Sequence, residues 1–253
     1  MSAGRLAPVR STRCWPAPGG MWSYDTWGAH GRPVILLHSV LFDRAMWWPI
    51  AADLRTEATM IAVDLPGHGT SPGRGRYDPE ALVADLAHLL HGLGTTRAPV
   101  VVGHGGAAGL AELFAVRFAA HALVTVDAVA SSGFAAPVGV DQVWRYLAAM
   151  SADSLPPSYR GLVTAAADPA LLAGYLDCVT AGRPGPGEPQ ATCQRLEIRS
   201  QRPGAEELAA VAPWRRVVYQ VPGRFAHLAD VPRFVADLRS VLLPAYSPRS
   251  RQS

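Results

Sequence analysis

The stretch Pro99-Val100-Val101-Val102-Gly103-His104-Gly105-Gly106-Ala107, followed by a helix-like run to Ala119, decides how this chain is read. Three consecutive valines between a proline and a glycine read as a buried strand. The glycines after it allow a tight turn into a helix that packs back on that strand. Working outward, Val34–His38, Thr59–Asp64 and Ala122–Asp127 are apolar runs of the same kind. Helix-like segments lie between them, Met46–Leu54 and Asp78–His91, the second with Asp78 as its N-cap. Strands without period-two polarity, alternating with helices, predict an α/β fold: a mostly parallel sheet with helices on both faces.

The alternation stops after the fourth strand. From about 138 to 190 only helix-like stretches occur, Asp141–Met150, Pro157–Ala166 and Pro169–Thr180, closed by the Pro/Gly-rich linker Arg183–Pro189. Strands return at Gln194–Ser200 and Arg216–Val221, with helices at Glu206–Val211 and Pro232–Leu243. Met21–Trp27 is expected to pair antiparallel with Val9–Trp15 at one sheet edge. The predicted division is a partly ordered edge segment over 1–20, a core over 21–137 and 191–243, a helical lid over 138–190, and a tail over 244–253.

The chain has 253 residues, 49% of them hydrophobic and 17% charged, enough for one well-filled α/β domain. Its net charge is +3, and every basic residue other than histidine is an arginine. The arginines are spread from Arg5 to Arg251 with no basic stripe, so no nucleic-acid partner is expected. No apolar run reaches the roughly 20 residues that span a bilayer, so no membrane partner is expected either. The first 20 residues lack the apolar region of a secretory signal, and Cys14, Cys178 and Cys193 form neither a disulfide framework nor a zinc pattern. The expectation is a cytoplasmic protein with free thiols and no metal.

Four ordered motifs carry a family resemblance: Leu36-Leu37-His38-Ser39; Asp64-Leu65-Pro66-Gly67-His68-Gly69-Thr70-Ser71; Val102 to Ala107; and Val221-Pro222-Gly223 with His227 and Phe234. Together they resemble the α/β-hydrolase superfamily, specifically small single-domain members with a helical lid. In that family a serine on a strained strand-to-helix turn is the nucleophile and a histidine accepts its proton. The resemblance puts Gly105 where that serine stands, and Arg199 to Pro203 offers no acid after the penultimate strand. The family's C-terminal pattern is roughly G-x-G-H-x-x-H-x-x-x-P, and His227 matches either histidine, with Pro232 one residue out of step.

The resemblance implies further roles. Asp127 ends the fourth strand, where some members carry their acid and others a structural aspartate; the two readings stand level. Paired with His227, it would orient the imidazole as a general base. Ser39 takes a place where a hydroxyl residue contacts substrate in some members, or it bonds local backbone. The N–H groups of Val40 and Gly106 would form an oxyanion hole. His38 and His104 are expected to brace the loops and His68 to pack in its loop, while Trp144, Tyr146, Met150 and Tyr175 are expected to line a pocket for a small apolar substrate.

These readings lead to a cofactor-independent enzyme that does acid–base chemistry without a covalent intermediate: a lyase, isomerase, cyclase or water-adding enzyme, associated by composition alone with secondary metabolism. The alternatives are an inactive ligand-binding or accessory protein, and a hydrolase with a displaced nucleophile such as Ser39 or Ser131. Gly105→Ser is expected to be tolerated by the fold.

Overall fold

Strands that are apolar along their whole length are stable only where both faces of their sheet are covered. A computed structural model, which describes residues 11–128, 140–180, 191–202 and 215–242, has that arrangement. Its eight strands are β1 (Ser11–Ala17), β2 (Gly20–Trp27), β3 (Arg32–Leu37), β4 (Ala58–Asp64), β5 (Val100–His104), β6 (Ala122–Val126), β7 (Gln194–Arg199) and β8 (Arg215–Val218). They form one sheet in the order β1-β2-β4-β3-β5-β6-β7-β8. Pairing is antiparallel for β1 with β2 and for β2 with β4, and parallel from β4 onward. The hairpin is present with Trp15 opposite Trp22. β8 ends at Val218, before the expected Val221, and the chain turns through Gln220 at φ +57°.

The helices follow local chemistry. α1 (Trp48–Leu54) is entered through a 3₁₀ turn, Arg44–Trp47, capped by the Asp43 carboxylate on the Ala45 N–H. Pro49 sits in the first turn of α1, where no N–H is needed. α2 (Pro79–Gly92) has the expected cap, the Asp78 carboxylate accepting from the Ala81 N–H at 2.9 Å. α3 (Ala108–Arg117) ends before the expected Ala119, because Phe118 is extended.

Between β6 and β7 come α4 (Val140–Ala149), α5 (Pro157–Arg160), α6 (Pro169–Gly174) and α7 (Leu176–Thr180). The expected helix Pro157–Ala166 is a single turn that stops at Gly161. The expected helix Pro169–Thr180 is broken at Tyr175, whose hydroxyl donates to the Pro66 carbonyl at 2.7 Å. The chain closes with α8 (Ala226–Ala229) and α9 (Val231–Leu242). The expected helix Glu206–Val211, the linker Arg183–Pro189, Ser131, Ser132, the first ten residues and the tail lie outside the described residues. Among the described residues no helix is long and apolar enough to cross a membrane.

This topology positions the site. The strands β3, β5, β6, β7 and β8 run parallel, so the segments that leave them emerge at one sheet edge, where open α/β sheets bind ligands. Ser39, Gly105, Asp127, Ser200 and Gly223 all lie just past strand ends on that edge.

The close approach of α3 to β5 requires Gly103. A Cβ there would lie 2.7 Å from the Ala107 carbonyl oxygen and 2.9 Å from the Ala108 Cα, both backbone atoms. Gly103→Ala should therefore destabilise the fold by about 1–3 kcal/mol, the usual cost of overpacking. A lowered urea midpoint checks this; an unchanged one would mean that α3 can move away freely.

Candidate functional site

The turn between β5 and α3 passes through Gly105 at φ +54°, in the left-handed region that glycine adopts without strain. What surrounds it is decisive. A Cβ at position 105 would lie 2.2 Å from Ser39 Oγ, 2.9 Å from Ser39 Cβ and 3.4 Å from Met150 Cε. The serine from the β3 loop thus fills the space that a side chain at 105 would enter. A side chain at 105 therefore requires Ser39 to shift, which sets the geometry against the expected tolerance of Gly105→Ser.

Ser39 is tied on two sides. The Gly106 N–H donates to its Oγ at 3.2 Å, and a short hydrogen bond joins that Oγ to the Tyr146 hydroxyl. The Tyr146 hydroxyl in turn donates to the Val40 carbonyl at 3.3 Å. With that proton on the carbonyl, the Ser39 hydroxyl must be the donor to Tyr146. The result is a directed relay, Gly106 N–H to Ser39 to Tyr146 to Val40 C=O. Burial pushes the Tyr146 phenol up to about 12. Of the two N–H groups expected as an oxyanion hole, that of Gly106 is bonded to Ser39, and Val40 enters the relay through its carbonyl.

The histidines behave as buried braces. The Leu65 N–H donates to His38 Nε2 at 3.0 Å, so the His38 Nδ1–H donates to the Ser39 carbonyl at 2.9 Å. His68 does the same for the next turn of the loop: the Leu41 N–H donates to its Nε2 at 2.9 Å and its Nδ1 bonds the Pro66 carbonyl at 3.1 Å. That support matters because Leu41 sits at φ +73°, a strained value for a branched side chain. His104 Nε2 donates to the Arg224 carbonyl at 2.7 Å.

His227 and Asp127 are not joined. Asp127, itself at φ +46°, accepts from the Ser200 N–H at 2.6 Å, the Ser200 hydroxyl at 2.7 Å and the Ala226 N–H at 3.1 Å. The carboxylate ties the ends of β6 and β7 to the start of α8. His227 is fully buried, with its ring 4.5 Å from Trp47, 4.8 Å from His104 and 5.8 Å from Phe234. Neither of its ring nitrogens has a hydrogen-bond partner among the described residues. Burial, with His104 beside it, holds its pKa well below the usual imidazole value. The expected acid–base pair is therefore corrected: Asp127 serves backbone and serine donors, and His227 is packed among aromatic rings.

From the segment after β6, Tyr146 bonds Ser39 and Met150 Cε lies near position 105. Trp144 does not line it, being 58% exposed on the outer face of α4. Tyr175 is buried away from Gly105, its ring against His68 and Tyr77. Arg224, which sequence reasoning passed over, sits beside the site with its carbonyl on His104. The signal was present, since it directly follows the glycine of the C-terminal motif. Among the described residues no three His, Cys, Asp or Glu side chains converge as metal ligands.

Comparison with known proteins agrees with this architecture. A model of the Alpha/beta hydrolase family matches residues 34–249. The dihydrolipoyllysine-residue acetyltransferase component of the acetoin cleaving system of Pseudomonas putida is 29% identical over 150 residues, 59% of this chain and 39% of that protein. The chain thus spans well under half the length of that relative. Among solved structures, E-2-(acetamidomethylene)succinate hydrolase superposes with a TM-score of 0.72 at 18% identity, over 92% of this chain and 99% of that one. The Cif epoxide hydrolase from Acinetobacter nosocomialis gives 0.72 at 14% identity, over 94% and 90%. At these identities the likeness is one of fold.

Two predictions follow from the geometry. Gly105→Ser alone should destabilise the protein by about 1–3 kcal/mol through overpacking, and Gly105→Ser with Ser39→Gly should recover most of that loss. Additive losses in a double-mutant cycle would mean that the two positions do not compete for space. The second concerns pH. Burial lowers the pKa of His38, His68 (to about 3), His104 and His227, so the unfolded chain takes up protons before the folded one. Stability should be intact above the unfolded value near 6.5 and fall on acidification below it, by about 1.4 kcal/mol per pH unit for each histidine. His227→Phe should remove one histidine's share of that slope in urea titrations at pH 6.5 to 5; an unchanged slope would show that His227 titrates normally.

Proposed function

The chain belongs to the Alpha/beta hydrolase family, and from that premise we propose that it binds a small, largely apolar molecule at this edge without covalent chemistry, as a ligand-binding or accessory protein. On this reading Gly105 stands in place of the nucleophilic serine, and residues 138–190 form a lid over the site. The observation that carries it is the position of Ser39 Oγ, 2.2 Å from where a Cβ at 105 would start. A hydroxyl there is held as part of a wall and takes up the Gly106 N–H.

A displaced nucleophile is poorly supported. An attacking serine needs a base within hydrogen-bond reach. Ser39 Oγ is bonded to an N–H donor and to a phenol raised to about 12, and neither accepts a proton at neutral pH. The acid–base enzyme is poorly supported too, since His227 as its base would require Asp127 to leave three donors. In the pattern G-x-G-H-x-x-H, Gly223 aligns Arg224 with the first histidine and His227 with the second, and the burial of His227 among Trp47, His104 and Phe234 favours that register.

The test is chemical. A fluorophosphonate probe should leave the protein unlabelled, and p-nitrophenyl butyrate hydrolysis should not exceed that of the Ser39→Ala variant. Stoichiometric labelling at Ser39 or Ser131, or ester turnover abolished by Ser39→Ala, would replace this reading with the displaced-nucleophile hydrolase.

A further inference from the structure

The short loop Pro222-Gly223-Arg224-Phe225 is fixed on three sides. Gly223 touches the segment after α4: a Cβ there would lie 2.6 Å from the Ser151 carbonyl oxygen. The Ser154 hydroxyl donates to the Pro222 carbonyl at 3.2 Å. Arg224 accepts from His104 Nε2 at 2.7 Å, which anchors it to the residue just before Gly105. The Phe225 ring lies 5.2 Å from His104 and 5.4 Å from Phe42, on the loop that carries Ser39. Arg224 is therefore held where strand end, β3 loop and lid meet.

Its side chain is half-buried and makes no hydrogen bond or ion pair among the described residues. Other partly covered arginines do otherwise. Arg44 pairs with Asp25 and Asp64, Arg74 with Asp85, and Arg199 and Arg216 both with Glu197. A half-buried guanidinium with no counter-charge among the described residues is free to take an anionic partner as a bidentate fork. The Arg224 charge is felt at both Tyr146 and His104, where it favours the less protonated form. The carboxylate of Asp127 is already bonded to Ser200 and Ala226.

The Ser39 and Tyr146 hydroxyls meet beside Gly105, and Arg224, anchored through its carbonyl to His104 and felt as a charge at Tyr146, belongs to the same cluster of residues, with apolar Val40, Phe42 and Met150 buried nearby. Building on the non-covalent reading above, we propose that this cluster recognises a small carboxylate carried on an apolar body, with Arg224 as the residue that selects the charge. The guanidinium takes the carboxylate as a fork. To reach the same group, the Tyr146 hydroxyl leaves the Val40 carbonyl to which it now donates. The apolar body lies against Met150 and Val40.

The experiment compares a charged probe with its neutral counterpart. Calorimetric titration with 4-phenylbutyrate and 4-phenylbutanamide would use wild-type protein, Arg224→Gln and Tyr146→Phe, each checked for an unchanged fold by thermal melting. The carboxylate should bind wild type at least about tenfold more tightly than the amide, the discrimination one charge-assisted bidentate contact supplies. Arg224→Gln should abolish that preference. Tyr146→Phe should weaken both probes and keep the preference. Equal affinity of acid and amide for wild type, or a preference that survives Arg224→Gln, overturns the charge-selecting role and leaves the non-covalent pocket standing. Failure of both probes to bind at millimolar concentration counts against both.

Discussion

The hydroxyl of Ser39 lies in the volume that any side chain at 105 would need, and the loops at that sheet edge are arranged around this exclusion. A packed interior has no room for two groups in one place. With glycine on the turn, the Ser39 hydroxyl lies against it and takes the Gly106 N–H, and Tyr146 on α4 is bonded to that hydroxyl. The Val40 carbonyl ends the chain of donors. A relay in which each proton has an acceptor rigidifies a buried polar site, whereas one unmade bond in it costs about 1–3 kcal/mol. The β3 loop, the turn after β5 and α4 are joined there by the same few atoms.

Asp127 performs the corresponding task on the other side. Its carboxylate gathers two donors from Ser200 and one from Ala226, so the ends of β6, β7 and the start of α8 share one charge. Its left-handed backbone, at φ +46°, aims the side chain back across the sheet edge. An aspartate at the end of a fourth strand can thus be fully occupied by architecture. The distinction from a catalytic acid lies in its acceptor sites, because a carboxylate already bonded three times has little left to orient an imidazole.

Much of the fold was legible because it depends on local signals. The apolar runs at Val34, Thr59, Val100, Ala122 and Gln194 became strands within one or two residues of their expected limits. The Asp78 cap and the glycine turn after β5 followed from residue type alone. The helices between β6 and β7 were less legible because tertiary contacts set their ends. Gly174 lies so close to the Tyr77 ring that a Cβ there would be 2.6 Å from it, and the helix breaks at the next residue. The site divides similarly. Ser39, Val40, Gly105, Gly106, Tyr146 and Met150 do converge. Trp144 could have been set aside from the sequence, since residues two apart on a helix face roughly 200° away from each other while Tyr146 and Met150, four apart, share a face. Asp127 and His227 could not, because their motif positions say nothing of which partners fill their hydrogen bonds.

Desolvation explains what remains at the edge. A histidine enclosed by aromatic rings or used at both nitrogens is cheapest as a neutral group, and all four buried imidazoles are pushed that way. Such rings brace backbone or fill space, and they act as bases only when a carboxylate or water offsets the charge they would gain. His227 has neither among the groups it touches, and His38 and His68 have no nitrogen to spare. Among the described residues, the site thereby offers hydroxyls, an N–H already in use, and Arg224. Groups of this kind donate hydrogen bonds and attract negative charge, but none of them can remove a proton at neutral pH.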